Sequence, residues 1–389
     1  MNLPYSKDDS PPVALPVVPS DSAAAETVIV GHPSELAVEF HGTAAEYFRI
    51  WAVNLCLVLL TLGIFSAWAK VRKKRYLYAN TTVDGTPFQY LGQPWPILKG
   101  RLIAAVLFAF YYVSSNFLTS LLPYVLMAGL LLFPWVVMRS TAFSSRYSAY
   151  RNMTFRFDAR YRDALNAVYW PGIVPLLIVG TSWDWWGNYY IAAGAYAVFG
   201  LTFPWWMRRF KVFVVEHTSF GDRKGALVAT GGQFFSVYFV SGLIVVGAGI
   251  VAVSLANAFA FAAMKTKTAY LLPVLFVLPI YAGYVLAYAY VQAKGGNLVW
   301  NNVRLGPLRF RSTLAVCALA KIYLTNALAI LASVGLLTPW AVVRTLRYRA
   351  SQMQGLLEGD LAEFRGNDAT TVRAVGAEIG ELFDVDLSL

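Results

Sequence analysis

Long apolar runs alternate with short polar segments over most of this chain, and their lengths predict membrane-spanning helices. Six runs are long enough to cross about 30 Å of hydrocarbon as helices. They lie at 101–121, 123–138, 165–182, 189–207, 236–262 and 270–292. Short connections join the runs in pairs, so the pattern predicts three transmembrane helical hairpins.

Two further apolar runs, 47–69 and 319–343, align with each other without a gap. Basic residues flank the second run on both sides, so a straight crossing would export the arginines that follow it, against the positive-inside rule. Both runs are therefore predicted to be short re-entrant hairpins, with arms of about 10 to 12 residues. They would turn at positions 62–63 and 334–335. Eight ordinary spans with both tails outside are the alternative.

Short segments of alternating apolar and polar residues recur next to Gly or Asn turns. Copies lie at 38–42, 88–92, 155–159 and 308–312, with a degenerate copy at 227–231. A period of two predicts strands, and we expect small two-stranded ribbons on the cytoplasmic side between the helical hairpins. The predicted fold class is thus an all-α polytopic membrane protein with small cytoplasmic β-ribbons, built from an internal repeat.

An aromatic residue precedes a cation by four positions near the ends of several apolar runs. The clearest pairs are Trp68 with Arg72, Trp135 with Arg139, Trp205 with Arg209, and Trp340 with Arg344, and Tyr290 with Lys294 is a weaker one. This spacing places both side chains on one helix face. They would suit a lipid phosphate or a cation–π contact with each other. A plain interfacial anchor is the alternative.

Composition agrees with a membrane protein, since 58% of the residues are hydrophobic and 14% are charged. The segment 1–39 carries one basic and six acidic groups, and the segment 351–389 carries two basic and eight acidic ones, so the net charge of +11 conceals a strongly basic centre. The positive-inside rule then predicts that the basic connections and both tails are cytoplasmic. The beginning of the chain lacks a basic segment followed by an apolar core, so no cleavable signal peptide is expected.

Three domains are predicted from these shifts in composition. Residues 1–37 are Pro-rich and polar, and we expect a disordered cytoplasmic tail. Residues 38–350 form the membrane domain with its internal repeats. Residues 351–389 form an acidic cytoplasmic tail, in which the apolar stripe at 370–383 predicts an amphipathic helix.

Candidate chemistry is sparse. The strongest candidates for a polar membrane site or pore are Asn54, Thr61, Gly63, Asn326, Ser333 and Gly335, because paired broken helices build selective sites in channels and transporters. Packing of each asparagine against a neighbouring helix is the alternative. The three histidines and two cysteines lack metal-ligand spacing, and no Gly-rich phosphate loop is complete. We therefore expect no enzyme, no cofactor, no metal and no nucleic-acid partner.

Several stretches carry a family resemblance. Residues 40–42, the segment TLGIFSAWAKVR at 61–72, and the motifs at 75–76 and 80–81 together resemble the YjgN-like family of bacterial inner-membrane proteins. The resemblance covers about 38–389 and implies an inner-membrane location, but no established activity or site residues. The predicted function is a non-enzymatic channel or transporter-like conduit. The alternative is a lipid-interacting or scaffolding protein whose Trp/Arg pairs contact anionic membrane lipids.

Overall fold

The protein is described by a computed structural model that covers residues 34–151, 153–173, 189–263 and 272–358. The helices are α1 (Ala44–Leu60), α2 (Ser66–Ala79), α3 (Pro94–Asn116), α4 (Leu122–Arg146), α5 (Tyr161–Ala164), α6 (Tyr189–Glu216), α7 (Gly231–Ala263), α8 (Leu272–Tyr290), α9 (Gly296–Asn302), α10 (Val316–Ala332) and α11 (Thr338–Ser351). A 3-10 turn at Thr119–Leu121 precedes α4. Two segments, Leu165–Ile173 and Val291–Gly295, are π-helical.

The described strands are short and all belong to one antiparallel sheet. They are β1 (Ser34–Phe40), β2 (Thr81–Val83), β3 (Thr86–Pro87), β4 (Gln89–Tyr90), β5 (Ser148–Tyr150), β6 (Met153–Phe157), β7 (Thr218–Phe220), β8 (Arg223–Leu227), β9 (Val303–Leu305), β10 (Leu308–Ser312) and β11 (Met353–Leu357). Their order across the eleven-stranded sheet is β3-β2-β1-β11-β10-β9-β8-β7-β6-β5-β4.

This sheet shows that the prediction of an all-α protein with separate two-stranded ribbons is wrong. The predicted ribbons pair edge to edge, which satisfies the backbone groups that isolated ribbons would leave open along their edges. The decisive pairing joins the two ends of the described chain, where Ala37 of β1 lies opposite Gln354 of β11. Alternation within one short segment predicts a strand, but it carries no information about a partner at the far end of the sequence.

The sheet is curled, so that its two outermost strands, β3 and β4, are consecutive in the chain. Only Phe88 separates β3 from β4, and its backbone N–H donates to the carbonyl of Thr81 at 3.0 Å. The hydroxyl of Tyr150 on β5 donates to the carbonyl of Val83 on β2, also at 3.0 Å, and so ties the two ends together. The result is a nearly closed, barrel-like sheet.

Apolar side chains from around the sheet meet in one core. Its buried members are Leu36, Tyr150, Phe220, Leu305 and Leu357, which come from β1, β5, β7, β9 and β11. Residues from strands so far apart in the sheet order make one cluster only because the sheet curls around them. The space enclosed by the strands is therefore packed with side chains.

Helices leave the sheet from one strand and return to it at another. Described helices lie between β1 and β2, β4 and β5, β6 and β7, β8 and β9, and β10 and β11. In the described residues, four helical stretches are long and apolar enough to cross a membrane: Pro94–Asn116, Thr119–Arg146, Gly231–Ala260 and Phe276–Asn302. These coincide with four of the six predicted spans. The predicted span at 189–207 lies within α6, which is a continuous helix of 28 residues.

Several predictions fall outside the described residues. These are the larger part of the N-terminal tail (1–33), the acidic tail with its amphipathic helix (359–389), part of the predicted span at 165–182, and the connections at 183–188 and 264–268. Strand β1 begins before residue 38 and β11 lies after residue 350. The sheet thus uses residues on both sides of the predicted domain boundaries.

The pairing of β1 with β11 predicts a specific disulfide. In a variant with Cys56 and Cys317 replaced by alanine, Ala37→Cys with Gln354→Cys should oxidise to an internal disulfide, because directly opposed residues of antiparallel strands lie within about 5.5 Å. Peptide mass spectrometry after proteolysis detects the bridge. The control pair is Ala37→Cys with Arg311→Cys, since Arg311 lies opposite Gln354 on the far side of β11. Two strand spacings, roughly 9.6 Å, exceed the reach of a disulfide, so equal bridging in both pairs would contradict the strand order.

Candidate functional site

The first hairpin (α1 and α2) and the last hairpin (α10 and α11) share one backbone turn. Leu62 and Val334 both have φ of +51°, and the glycines that follow, Gly63 and Gly335, have φ of +91° and +90°. The N–H of each glycine donates at 2.8 Å to a carbonyl five residues earlier. The chain therefore turns at the residues where the sequence predicted reversal, and φ near +90° at the second residue of each turn is free of strain only for glycine.

A hydroxyl side chain fastens each turn. The Thr61 hydroxyl donates to the carbonyl of Leu57 at 2.7 Å and accepts the N–H of Phe65 at 2.9 Å. The Ser333 hydroxyl donates to the carbonyl of Ile330, three residues earlier, at 3.2 Å and accepts the N–H of Leu337 at 3.0 Å. Thr61, Gly63, Ser333 and Gly335 thus have a local role that the geometry explains fully, namely holding the turn.

The tips of both hairpins expose large apolar side chains. Leu60 and Leu62 are 80% and 94% exposed, and Leu331 and Val334 are 75% and 92% exposed. Apolar tips of this kind are stabilised by hydrocarbon rather than by water.

The arms of both hairpins are longer than predicted. In each hairpin the first arm is a helix of 17 residues and the second is a helix of 14 residues. The second arm is long because the polar segment 70–75 and its counterpart 342–347 continue the helix. The first arm rises about 25 Å. The tip of each hairpin therefore lies far from the arginines at the opposite end of that hairpin.

Asn54 and Asn326 join the two arms of their hairpins. Both are buried. The Asn54 amide N–H donates to the carbonyl of Ala69 at 3.5 Å, and that of Asn326 donates to the corresponding carbonyl of Ala341 at 3.2 Å and to the hydroxyl of Thr345 at 3.1 Å. Each amide therefore faces the neighbouring helix of its own hairpin.

The two asparagines differ at their carbonyl oxygens. Asn326 Oδ1 accepts a hydrogen bond from the guanidinium of Arg344 at 3.2 Å. Asn54 Oδ1 is buried and accepts no hydrogen bond from the described residues. The counterpart of Arg344 in the first hairpin, Arg72, instead lies over the ring of Phe65, with Cζ 5.3 Å from its centroid.

Three of the predicted aromatic–arginine pairs are formed as cation–π contacts. Cζ of the arginine lies 5.8 Å from the ring centroid for Arg139 on Trp135, 5.3 Å for Arg209 on Trp205, and 5.1 Å for Arg344 on Trp340. Trp68 differs, because Arg72 lies on Phe65 instead. The Trp68 ring stacks on Phe65 and meets the edge of Trp95, with ring centroids 5.4 Å apart in the second contact.

These cations share one spacing along the chain from the strands of the sheet. Each precedes the first residue of the next strand by nine positions: Arg72 and Thr81, Arg139 and Ser148, Arg209 and Thr218, Lys294 and Val303, Arg344 and Met353. Seven or eight of these nine positions continue the helix, which corresponds to a rise of about 10–12 Å. We call the position nine residues before a strand, which the five cations share, the cation level.

A second arginine in the first hairpin and in the last hairpin joins that hairpin to its neighbour. Arg75 on α2 donates to the carbonyl of Gly92, just before α3, at 3.2 Å. Arg347 on α11 donates to the carbonyl of Gly42, just before α1, at 3.0 Å. We call the contact of α2 with α3 the first seam and that of α11 with α1 the last seam. The sequence contains a signal for these contacts, since Arg75 follows Trp68 and Arg347 follows Trp340 by the same seven residues, and both glycines end a predicted extended segment.

An open cleft of about 590 Å³ lies in the last seam. Its lining includes Thr43 and Ala44 at the start of α1, and Ile322, Trp340, Arg344 and Arg347 on the last hairpin. Two candidate residues from the sequence, Trp340 and Arg344, thus meet in a concave surface. No acidic side chain is among the described residues that line it.

Comparison with known proteins now places the chain. The sequence profile of a family described as bacterial protein of unknown function (DUF898) matches residues 35–382, which include every helix described above. The chain belongs to the DUF898 family. The family match covers the sheet and all of its hairpins, and it assigns no activity.

Curated relatives of this DUF898 protein are named inner membrane protein YjgN. The one from Escherichia coli K12 is 43% identical over 76 residues, which cover 19% of this chain and 18% of the relative. The one from Salmonella typhimurium LT2 is 30% identical over 131 residues, or 32% of each chain. The aligned parts thus span about a fifth to a third of these relatives. No solved structure matches the chain.

The difference between the two asparagines predicts unequal stability effects in this DUF898 protein. Asn326→Leu should lower the free energy of unfolding by about 2 kcal/mol more than Asn54→Leu, because it removes three hydrogen bonds at about 1 kcal/mol each, against one long bond. Asn54→Leu also removes a carbonyl oxygen that is buried without a partner among the described residues. Unfolding titrations in mixed detergent measure both values. An equal loss of unfolding free energy in the two variants would show that Asn54 and Asn326 do not differ in hydrogen bonding.

The turn geometry predicts an opposite response at two glycines. Gly335→Ala should destabilise the protein by about 1–2 kcal/mol, because φ of +90° disfavours any residue with Cβ, although a methyl group there would meet no atom within 4 Å. Gly129→Ala is the matched control. Its added Cβ also meets nothing within 4 Å, but Gly129 lies inside α4, where alanine gains roughly 0.5–1 kcal/mol. Thermal unfolding measures both changes, and a stabilising Gly335→Ala would exclude the strained turn.

Proposed function

We propose that this DUF898 protein is an inner-membrane protein that binds anionic phospholipid headgroups through aromatic–arginine pairs at the cation level. The inner-membrane location is supported by the names of its relatives and by the four helical stretches that are long enough to span. The lipid assignment is supported by one observation above all, the constant spacing of nine residues between each cation and a strand of a single sheet.

A membrane surface is a plane, so a protein that binds headgroups at several points needs its cations at one depth. The constant spacing of nine residues from cation to strand supplies that depth for all five helices. Arginine forms bidentate hydrogen bonds with phosphate, and indole rings favour the headgroup region of bilayers. Trp205 is 49% exposed and Trp340 is 37% exposed, so both rings are accessible to lipid.

The apolar tips extend this argument to the short hairpins. With the cation level at the headgroups, α1 and α10 point away from the sheet into the bilayer and end in their exposed leucine and valine side chains. The predicted re-entrant insertion of both hairpins is supported by these tips, by the turns and by the length of the arms. The internal repeat is supported by the recurring order of strand, helices and strand, and both remain proposals.

The conduit prediction has less support from the geometry. The amides of Asn54 and Asn326 are bonded within their own hairpins, and the sheet encloses an apolar core. Neither feature provides a polar path along the described residues. The expectations that the protein is not an enzyme and does not bind nucleic acid stay predictions.

Lipid analysis tests the proposal. The double variant Arg139→Gln with Arg209→Gln should lose enrichment of phosphatidylglycerol and cardiolipin in the co-purified lipid, with about 1 kcal/mol of preference lost for each arginine removed. Mass spectrometry of lipids extracted from the detergent-purified protein measures the enrichment.

The matched control removes the same charge from the sheet. Arg304 and Arg311 are exposed on β9 and β10, below the cation level, so Arg304→Gln with Arg311→Gln should keep the wild-type lipid composition. The proposal is overturned if the two double variants retain the same anionic fraction.

A further inference from the structure

We infer that the cleft in the last seam binds one anionic phospholipid, with Arg344 and Arg347 on its phosphate and Trp340 beside the glycerol and upper acyl chain. This inference rests on the proposed function and narrows it from a general affinity for headgroups to one built site. The comparison of the two seams provides the main argument.

The first seam is closed by an indole that the last seam lacks. The segments before α1 and α3 correspond through Gly42 and Gly92, which accept the equivalent arginine bonds. The third residue after Gly42 is Ala45, and the third residue after Gly92 is Trp95, so these two residues correspond. In the first seam Trp95 packs edge-on against Trp68 at 5.4 Å. In the last seam the corresponding residue is the exposed Ala45. Its neighbour Ala44 lines the cleft together with Trp340.

The chemistry of the cleft fits a phosphodiester. Arg344 uses one nitrogen, Nη1, for its bonds to Thr325 and Asn326, and Arg347 uses Nη2 for Gly42. A guanidinium has five N–H donors, so each can also donate to a phosphate. The carboxylate of Glu46, in the first turn of α1, accepts from the hydroxyl of Tyr76 at 3.0 Å and does not line the cleft.

The remaining lining fits the apolar part of a lipid rather than a free anion. Ile322 and Val343 contribute apolar walls. From Trp340 the chain leads back to Leu337 and Leu336, which are 42% and 55% exposed toward the apolar tip. A volume of about 590 Å³ lies within the range of roughly 300–1,000 Å³ usual for small-molecule sites. A phosphate at the arginines would therefore continue into chains that lie along the last hairpin.

Filling the cleft tests the inference. Ala45→Trp places an indole where Trp95 stands in the first seam, and Ala45 is not part of the buried core, so the core is not disturbed. Native mass spectrometry of the full-length protein titrated with phosphatidylglycerol should show one tight lipid for the wild type and at least a tenfold weaker first binding step for Ala45→Trp. Arg347→Gln, which keeps a donor for the Gly42 carbonyl, should weaken that step by about tenfold as well.

Trp95→Ala is the matched control, because it removes an indole from the corresponding place in the other seam. It should leave the tight lipid bound with wild-type affinity. Phosphatidylcholine and inorganic phosphate serve as competing ligands, and neither should displace the lipid.

Three outcomes overturn the inference. The first is that Ala45→Trp and Arg347→Gln bind as the wild type does, and the second is that Trp95→Ala weakens binding equally. The third is that inorganic phosphate displaces the lipid, which would identify a soluble-anion site. Ala45→Trp keeps every aromatic–arginine pair, so its failure would leave the broader proposal intact.

Discussion

The antiparallel pairing of β1 with β11 brings the first and last parts of the described chain together, and the remaining architecture depends on it. The Ser34 hydroxyl on β1 donates to the carbonyl of Leu357 on β11 at 3.4 Å. This pairing closes the sheet between the last hairpin and the first. It also brings α11 against α1, so that Arg347 can reach Gly42 as Arg75 reaches Gly92. Without it the last seam and its cleft would not exist.

The two seams show how similar sequences acquire different chemistry from different neighbours. Trp68 and Trp340 occupy equivalent positions, but Trp68 meets another indole, whereas Trp340 lines an open cleft and lies under Arg344. Arg344 in turn satisfies Asn326, while Arg72 lies on Phe65 and leaves the Asn54 carbonyl oxygen without a partner among the described residues. The differences begin at Ala45 against Trp95 and at Leu337 against Phe65. A single substitution in a repeated unit can thus convert a packed contact into an open site.

The sequence predicted the local elements well and their assembly poorly. The turns at Gly63 and Gly335 followed from a glycine in an apolar run and from the charges around it, both of which are local signals. The segments predicted at 38–42, 88–92, 155–159 and 308–312 overlap strands β1, β4, β6 and β10, whereas the degenerate copy at 227–231 shares only Leu227 with β8. The sheet could not be predicted, because the partner of each strand depends on how the whole chain folds and not on the few residues of that strand. The cleft was missed for the same reason, since it lies between the two ends of the sequence.

The same closure explains why a sheet is useful to a protein that otherwise consists largely of helices. Helices in a bilayer gain little from the hydrophobic effect when they pack on each other, so their depth needs another determinant. Here each helix that bears a cation ends on a strand of one rigid sheet, and backbone hydrogen bonds fix the height of that strand relative to its neighbours. Each cation then lies nine residues before the first residue of a strand. Under the proposed function the sheet would thus set the depth of the cations in the membrane, and the helices would carry their side chains to that depth.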